Sequence, residues 1–134
     1  MKKLSIYIAL LFLISGCKKE SKSDFRDLIL GNYSLKKCSF SNSISGTNEN
    51  CDTAPVMGSI SMVGDSSLFF EGDTFTLSYQ GNDKIRFWAS QCSYSGNGQS
   101  TCLIDFFKPD SVFIVKASGS VSSQSGTRWF GRKK

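Results

Sequence analysis

Through the middle of the chain, apolar and polar side chains alternate with a period of two. In "TFTLSYQ" Phe75, Leu77 and Tyr79 alternate with Thr74, Thr76, Ser78 and Gln80, and in "KIRFWASQCSY" Ile85, Phe87 and Ala89 alternate with Arg86, Trp88 and Ser90. Successive strand side chains point to opposite faces, so this spacing predicts strands with one face in a core. The segments "NYSLKKCSF", "GSISMVG", "SSLFFE", "TCLIDFFK", "SVFIVKAS" and "TRWFGRKK" read the same way, with turns at Gly72-Asp73, "GND" and Pro109-Asp110. "GSVSSQSG" (119–126) reads as a flexible loop or a weak strand extension. A single helix is predicted over "SDFRDLILG" (23–31), with Ser23 or Asp24 as cap, Phe25, Leu28 and Ile29 on one face and Gly31 at its end. The expected fold is therefore all-β: about eight antiparallel strands as a small meander barrel or sandwich, preceded by one short helix, in a single domain over residues 24–134.

The first 23 residues follow a different pattern. Lys2 and Lys3 precede an apolar run from Leu4 to Ile14. That length suits a secretory signal and falls short of the roughly 20 residues a spanning helix needs. The run ends in Ile14-Ser15-Gly16-Cys17, which resembles the lipobox of bacterial lipoproteins. The resemblance implies removal of residues 1–16, acylation of Cys17 with palmitate-type chains, and export to a membrane surface. Residues 17–23 would then be the acylated cysteine and a polar tether, too poor in apolar content to fold. Each buried methylene adds about 0.8 kcal/mol, and several acyl chains hold where one holds only marginally. By the sorting pattern of such lipoproteins, Lys18 rather than aspartate after the cysteine favours the outer membrane over the inner.

Loss of the signal leaves 14 basic against 11 acidic residues, a net charge of +3 spread over the tether and Arg128, Arg132, Lys133 and Lys134. A nucleic-acid binder carries a denser basic face, and no nucleic-acid partner is expected. Four cysteines remain: Cys38, Cys51, Cys92 and Cys102. An even count in an exported chain implies two disulfides, with three possible connectivities. The local pairs are favoured, because Cys92 and Cys102 flank the Gly-rich reversal "SYSGNGQST" while Cys38 and Cys51 bracket "SFSNSISGTNEN", too polar to order itself. No CxxC knuckle and no histidine supports zinc, so neither metal nor cofactor is expected.

At "LILGNYSL" the mature domain resembles the opening of a lipocalin-like barrel, in which a short helix leads into Gly-x-Trp on the first strand. Here Gly31-Asn32-Tyr33 stands in that place. The resemblance implies that a basic residue of the last strand, Arg128 or Arg132, covers the Tyr33 ring. It also implies a barrel able to hold a small apolar molecule, for which Tyr79, Phe87, Trp88 and Phe106 are the candidate lining.

Without histidine the chain lacks the commonest general base, and Ser-His-Asp or Cys-His catalysis is impossible. No catalytic residues are assigned, and the protein is not expected to be an enzyme. Asp105, within "LIDFF", is the one acid among apolar neighbours. Facing inward it would have a raised pKa; facing outward it would pair with a neighbouring strand's arginine, Arg86 being the candidate. Two functions follow: a membrane-anchored binding module for an apolar ligand, or an envelope interaction protein, an assembly accessory or inhibitor, acting through loops 41–55 and 94–99. A true cavity favours the first, and a packed barrel with exposed aromatics beside a stiff loop favours the second.

Overall fold

The computed structural model describes residues 25–93, 99–107, 110–120 and 122–134. The signal, Cys17, the tether, the caps Ser23 and Asp24, the tip of the 94–98 reversal and Pro109 lie outside them. A five-residue helix, α1 (Phe25–Ile29), precedes nine strands: β1 (Gly31–Ser43), β2 (Gly46–Cys51), β3 (Val56–Val63), β4 (Ser67–Phe70), β5 (Asp73–Gln80), β6 (Lys84–Ala89), β7 (Gln99–Phe107), β8 (Ser111–Ser120) and β9 (Ser123–Lys133). All pairings are antiparallel, in the order β2-β1-β3-β4-β5-β6-β7-β8-β9. β1 also pairs with β9 from Tyr33↔Lys133 to Ser43↔Ser123, which closes an eight-stranded barrel and leaves β2 as an extra strand. Closure removes the open edges that a flat sheet would present.

One expectation changes here. Segment 41–55, expected as a loop stiffened by its disulfide, is largely a hairpin: β2 pairs with β1 over six positions from Cys38↔Cys51 to Ser43↔Gly46. Of the two readings of 119–126, the strand extension holds, with Gly119 opposite Gln124 and Ser120 opposite Ser123. In both cases backbone pairing to a neighbouring strand supplies order that the small polar side chains do not. The two local disulfides, Cys38–Cys51 and Cys92–Cys102, are present. Cys38 and Cys51 sit directly opposite each other, so this bridge holds the hairpin at its base. Replacing both with serine is expected to lower stability by about 2–4 kcal/mol through the freed denatured chain, read from urea midpoints. Hydrogen exchange in β2 should accelerate more than exchange in β7 and β8; uniform acceleration would show that the bridge supports the barrel as a whole.

The barrel interior follows the alternation. Leu68, Phe70, Phe75, Phe87, Ile104 and Ile114 are fully buried, joined by Tyr33, Leu35, Ile60, Ile85, Phe106 and Trp129. In each adjacent aromatic pair one ring faces in and the other out: Phe70 is buried and Phe69 exposed, Phe106 buried and Phe107 exposed, Trp129 buried and Phe130 exposed. Eight strands make an interior that side chains can fill. Phe87 packs edge-on to Phe106 at 6.0 Å between centroids, and Phe70 edge-on to Trp129 at 5.5 Å, the arrangement aromatic quadrupoles favour.

Candidate functional site

Both barrel mouths are built shut. At the end where the chain enters, α1 lies across the opening. Tyr33 Oη donates to the Ile29 carbonyl at 2.7 Å, and Lys133 Nζ donates to the Asp27 and Leu28 carbonyls at 2.8 and 3.3 Å. Burial pushes the Tyr33 hydroxyl up to about 12. The crevice beneath α1, lined by Leu28, Ile29, Tyr33, Ile85 and Phe106 among others, measures about 10 Å³, enough for one water at most. The basic partner implied for Tyr33 is placed differently. Arg128 stacks on Phe40 with its guanidinium 4.2 Å from the ring centroid, and Arg132 lies opposite Ser34. The residue opposite Tyr33 is Lys133, and its amine is spent on the helix carbonyls.

At the other end the β4–β5 turn is a two-residue reversal with positive φ at both Glu71 (45°) and Gly72 (84°), the geometry of a type I′ hairpin. The turn falls one residue before the expected Gly72-Asp73, because Asp73 opens β5 and faces the interior. There it meets Lys116, which shares the inward face of β8 with Val112 and Ile114. Lys116 Nζ forms an ion pair with Asp73 Oδ2 at 2.6 Å and donates hydrogen bonds to the carbonyls of Phe70 (3.2 Å) and Glu71 (2.9 Å). Asp73 Oδ1 accepts from the Ser93 amide at 2.8 Å and the Ser93 hydroxyl at 2.5 Å. Burial favours the neutral acid, but hydrogen bonds from Lys116 and Ser93 outweigh it and hold the Asp73 carboxyl below its ordinary value. Cys92, bridged to Cys102, keeps Ser93 in place over this pair.

The four residues expected to line an apolar pocket are thus divided between two faces. Phe87 and Phe106 are core, touching each other, while Tyr79 and Trp88 point outward and are half-exposed. Trp88 faces out because it alternates with Phe87. Tyr79 departs from its alternation because the β5–β6 register shifts between Leu77 and Tyr79, a bulge that turns the strand end away from the core.

The outer face over β6–β9 carries aromatic and charged side chains in three cross-strand rows. One cross-strand row runs Trp88, Leu103, Val115, Arg128; the next Arg86, Asp105, Phe113, Phe130, Lys36; the third Lys84, Phe107, Ser111, Arg132. Phe113 and Phe130 pack at 5.1 Å between centroids. Asp105 lies in the middle, only 3% exposed, gripped by Arg86 Nε and Nη2 at 2.6 and 2.7 Å and by Lys84 at 3.0 Å. It faces outward and takes Arg86 as partner. Burial pushes its pKa up, but the Arg86 and Lys84 hydrogen bonds prevail and hold it down, so it is a fixed anion and not a poised acid. Exposed apolar residues on the β3–β4 side, Met57, Val63 and Phe69, are separated by Ser59, Ser61 and Ser67 and form no comparable patch.

A polar cleft of about 430 Å³ opens where the tips of the β1–β2 and β8–β9 hairpins meet, lined by Asn42, Ser43, Ile44, Thr101, Ser120 and Gln124 among others. It draws on the segment 41–55 singled out above, and Ile44 stands almost fully exposed (91%) at its rim. Cys38, Cys51 and Glu49 cluster closely enough for a metal, but both sulfurs are consumed by the disulfide, which leaves one carboxylate. Protein-family models, curated proteins and solved structures yielded no match to this chain.

Proposed function

We propose that this protein is an exported lipoprotein of the bacterial envelope, anchored through acylated Cys17 with the outer membrane favoured, and that it works as a non-catalytic interaction module. The observation that carries this reading is the filled barrel. The space a carried apolar molecule would occupy holds Phe87, Phe106, Phe70 and Trp129, with α1 over one mouth and the Lys116–Asp73 pair over the other. What the fold displays instead is the disulfide-braced β1–β2 hairpin with its exposed Ile44 and the adjoining polar cleft, the surface we assign to a protein partner. Two disulfides suit an oxidising compartment, in keeping with export. Among the described residues the two buried carboxylates, Asp73 and Asp105, are both held ionised by cations, which agrees with a role outside catalysis.

The test is native mass spectrometry on the mature chain. It is expected to show protein and acyl groups alone, with no uptake of a lipophilic probe. A stoichiometric, solvent-extractable molecule would return the carrier reading to first place. A photoreactive residue in place of Ile44 should crosslink one discrete envelope protein, whereas the same residue in place of Met57 should not. Cys17→Ser should abolish fatty-acid labelling; labelling that persists would remove the anchor.

A further inference from the structure

We infer that the outer face of β6–β9 is a second membrane contact, on which the barrel rests against an anionic lipid surface. The inference rests on the lipid-anchor reading above and assigns the face of the barrel that meets the bilayer. Trp88, Phe107, Phe113 and Phe130 stand on this face with Leu103 and Val115 between them. Trp88, Phe107 and Phe130 are each 40–48% exposed, and Phe113 packs on Phe130 at 5.1 Å between centroids, more exposed aromatic surface than the rest of the described barrel wall shows. Lys36, Lys84, Arg86 and Arg132 lie in the same rows. The only carboxylate in those rows, Asp105, is already neutralised by Arg86 and Lys84, and Arg128 carries its own partner in Glu49 at 3.4 Å. The face is therefore aromatic and net positive, the combination that settles at the headgroup level of anionic membranes.

The tether points the same way. Residues 17–24 separate the acylation site from α1 and reach at most about 28 Å when extended. α1 seats beside this face, since Leu28 shares its crevice with Phe107 and Ser111. A tether of this length lets the aromatic rows reach the headgroups of the membrane that holds Cys17. The β1–β2 hairpin and its cleft stay clear, because they lie past the opposite end of the barrel.

The two tryptophans make the inference measurable, because Trp88 is half-exposed on this face and Trp129 is buried in the core. The protein purified from its own membranes, with the acyl state of Cys17 read by mass spectrometry, would be placed in phosphatidylcholine vesicles with or without phosphatidylglycerol. Lipids brominated near the headgroup should quench tryptophan emission in the anionic vesicles, and the quenching should weaken at high salt and vanish in Trp88→Phe. Lys36→Gln with Arg132→Gln, which leaves the Asp105 clamp intact, should shift the balance of resting and released barrels roughly thirty-fold toward release. Acylated, vesicle-bound protein with unquenched Trp88 would overturn the inference and turn the search to an acidic protein for this face. An unacylated chain still quenched by anionic vesicles would retire the anchor and keep the contact; an unacylated, unquenched chain would end both.

Discussion

Asp73→Ala is expected to cost about 3–5 kcal/mol of folding stability, because it strands the Lys116 ammonium inside the barrel without its counter-ion, left to the Phe70 and Glu71 carbonyls and the Phe70 and Trp129 rings. That is a large share of the roughly 5–15 kcal/mol available to a domain of this size. The variant also frees Ser93, so the Cys92 segment should lose protection from hydrogen exchange. The pair itself contributes far less than its rupture costs, since taking both ions out of water nearly cancels their attraction. Asp73→Leu combined with Lys116→Met should therefore recover most of the loss. Urea denaturation of the single and double variants completes the cycle. A single-variant loss below about 1 kcal/mol would mean that water reaches the pair.

The same pair sets an acid limit. The Asp73 carboxyl is held below its ordinary value of 3.8 in the folded protein, so the unfolded chain binds the proton more readily. The stabilisation is complete above that ordinary value and is lost as pH falls through the lower folded value. Asp105, shifted in the same direction, adds to the slope in the same window. Stability should stay flat from neutrality to about pH 5 and then decline, and Asp73→Leu/Lys116→Met should decline less steeply.

Phe87→Ala is expected to cost a similar 3–5 kcal/mol, and it separates a filled barrel from a ligand pocket. Phe87 is fully buried and stacks edge-on with Phe106, so truncation leaves a cavity walled by side chains that cannot all collapse into it. Were Phe87 the wall of an existing pocket, truncation would only enlarge that pocket and cost little. Xenon or a benzene-sized solute should bind the variant and restore part of the loss while leaving the parent unaffected. Trp88→Ala, one residue away on the outer face, should change stability by about 1 kcal/mol or less. Comparable losses at both positions would mean that the outer aromatics form part of the fold's support.

What the chain's own pattern determined is local. Period-two alternation assigned a face to most strand residues, since neighbouring side chains on a strand must part company; Phe69 from Phe70 and Phe106 from Phe107 follow from that alone. The local disulfides were legible because a tight reversal brings its flanking cysteines together. The Arg86–Asp105 clamp was legible because adjacent antiparallel strands place those residues opposite each other. The Lys116–Asp73 plug was not. A lysine following Val112 and Ile114 on the inward face has the right parity, but parity does not say which oxygens wait 43 to 46 positions earlier in the chain. Tyr79 was misread because a bulge leaves no mark in hydropathy, and β2 because its order comes from the β1 backbone and not from its side chains.

Closure was beyond the sequence for the same reason. The β1–β9 seam joins residues 80 to 100 positions apart, and whether the resulting interior is solid or hollow depends on how all eight strands tilt and how their side chains interlock. Alternation names the residues that face inward; only the packed tertiary structure decides that they leave no room for anything else.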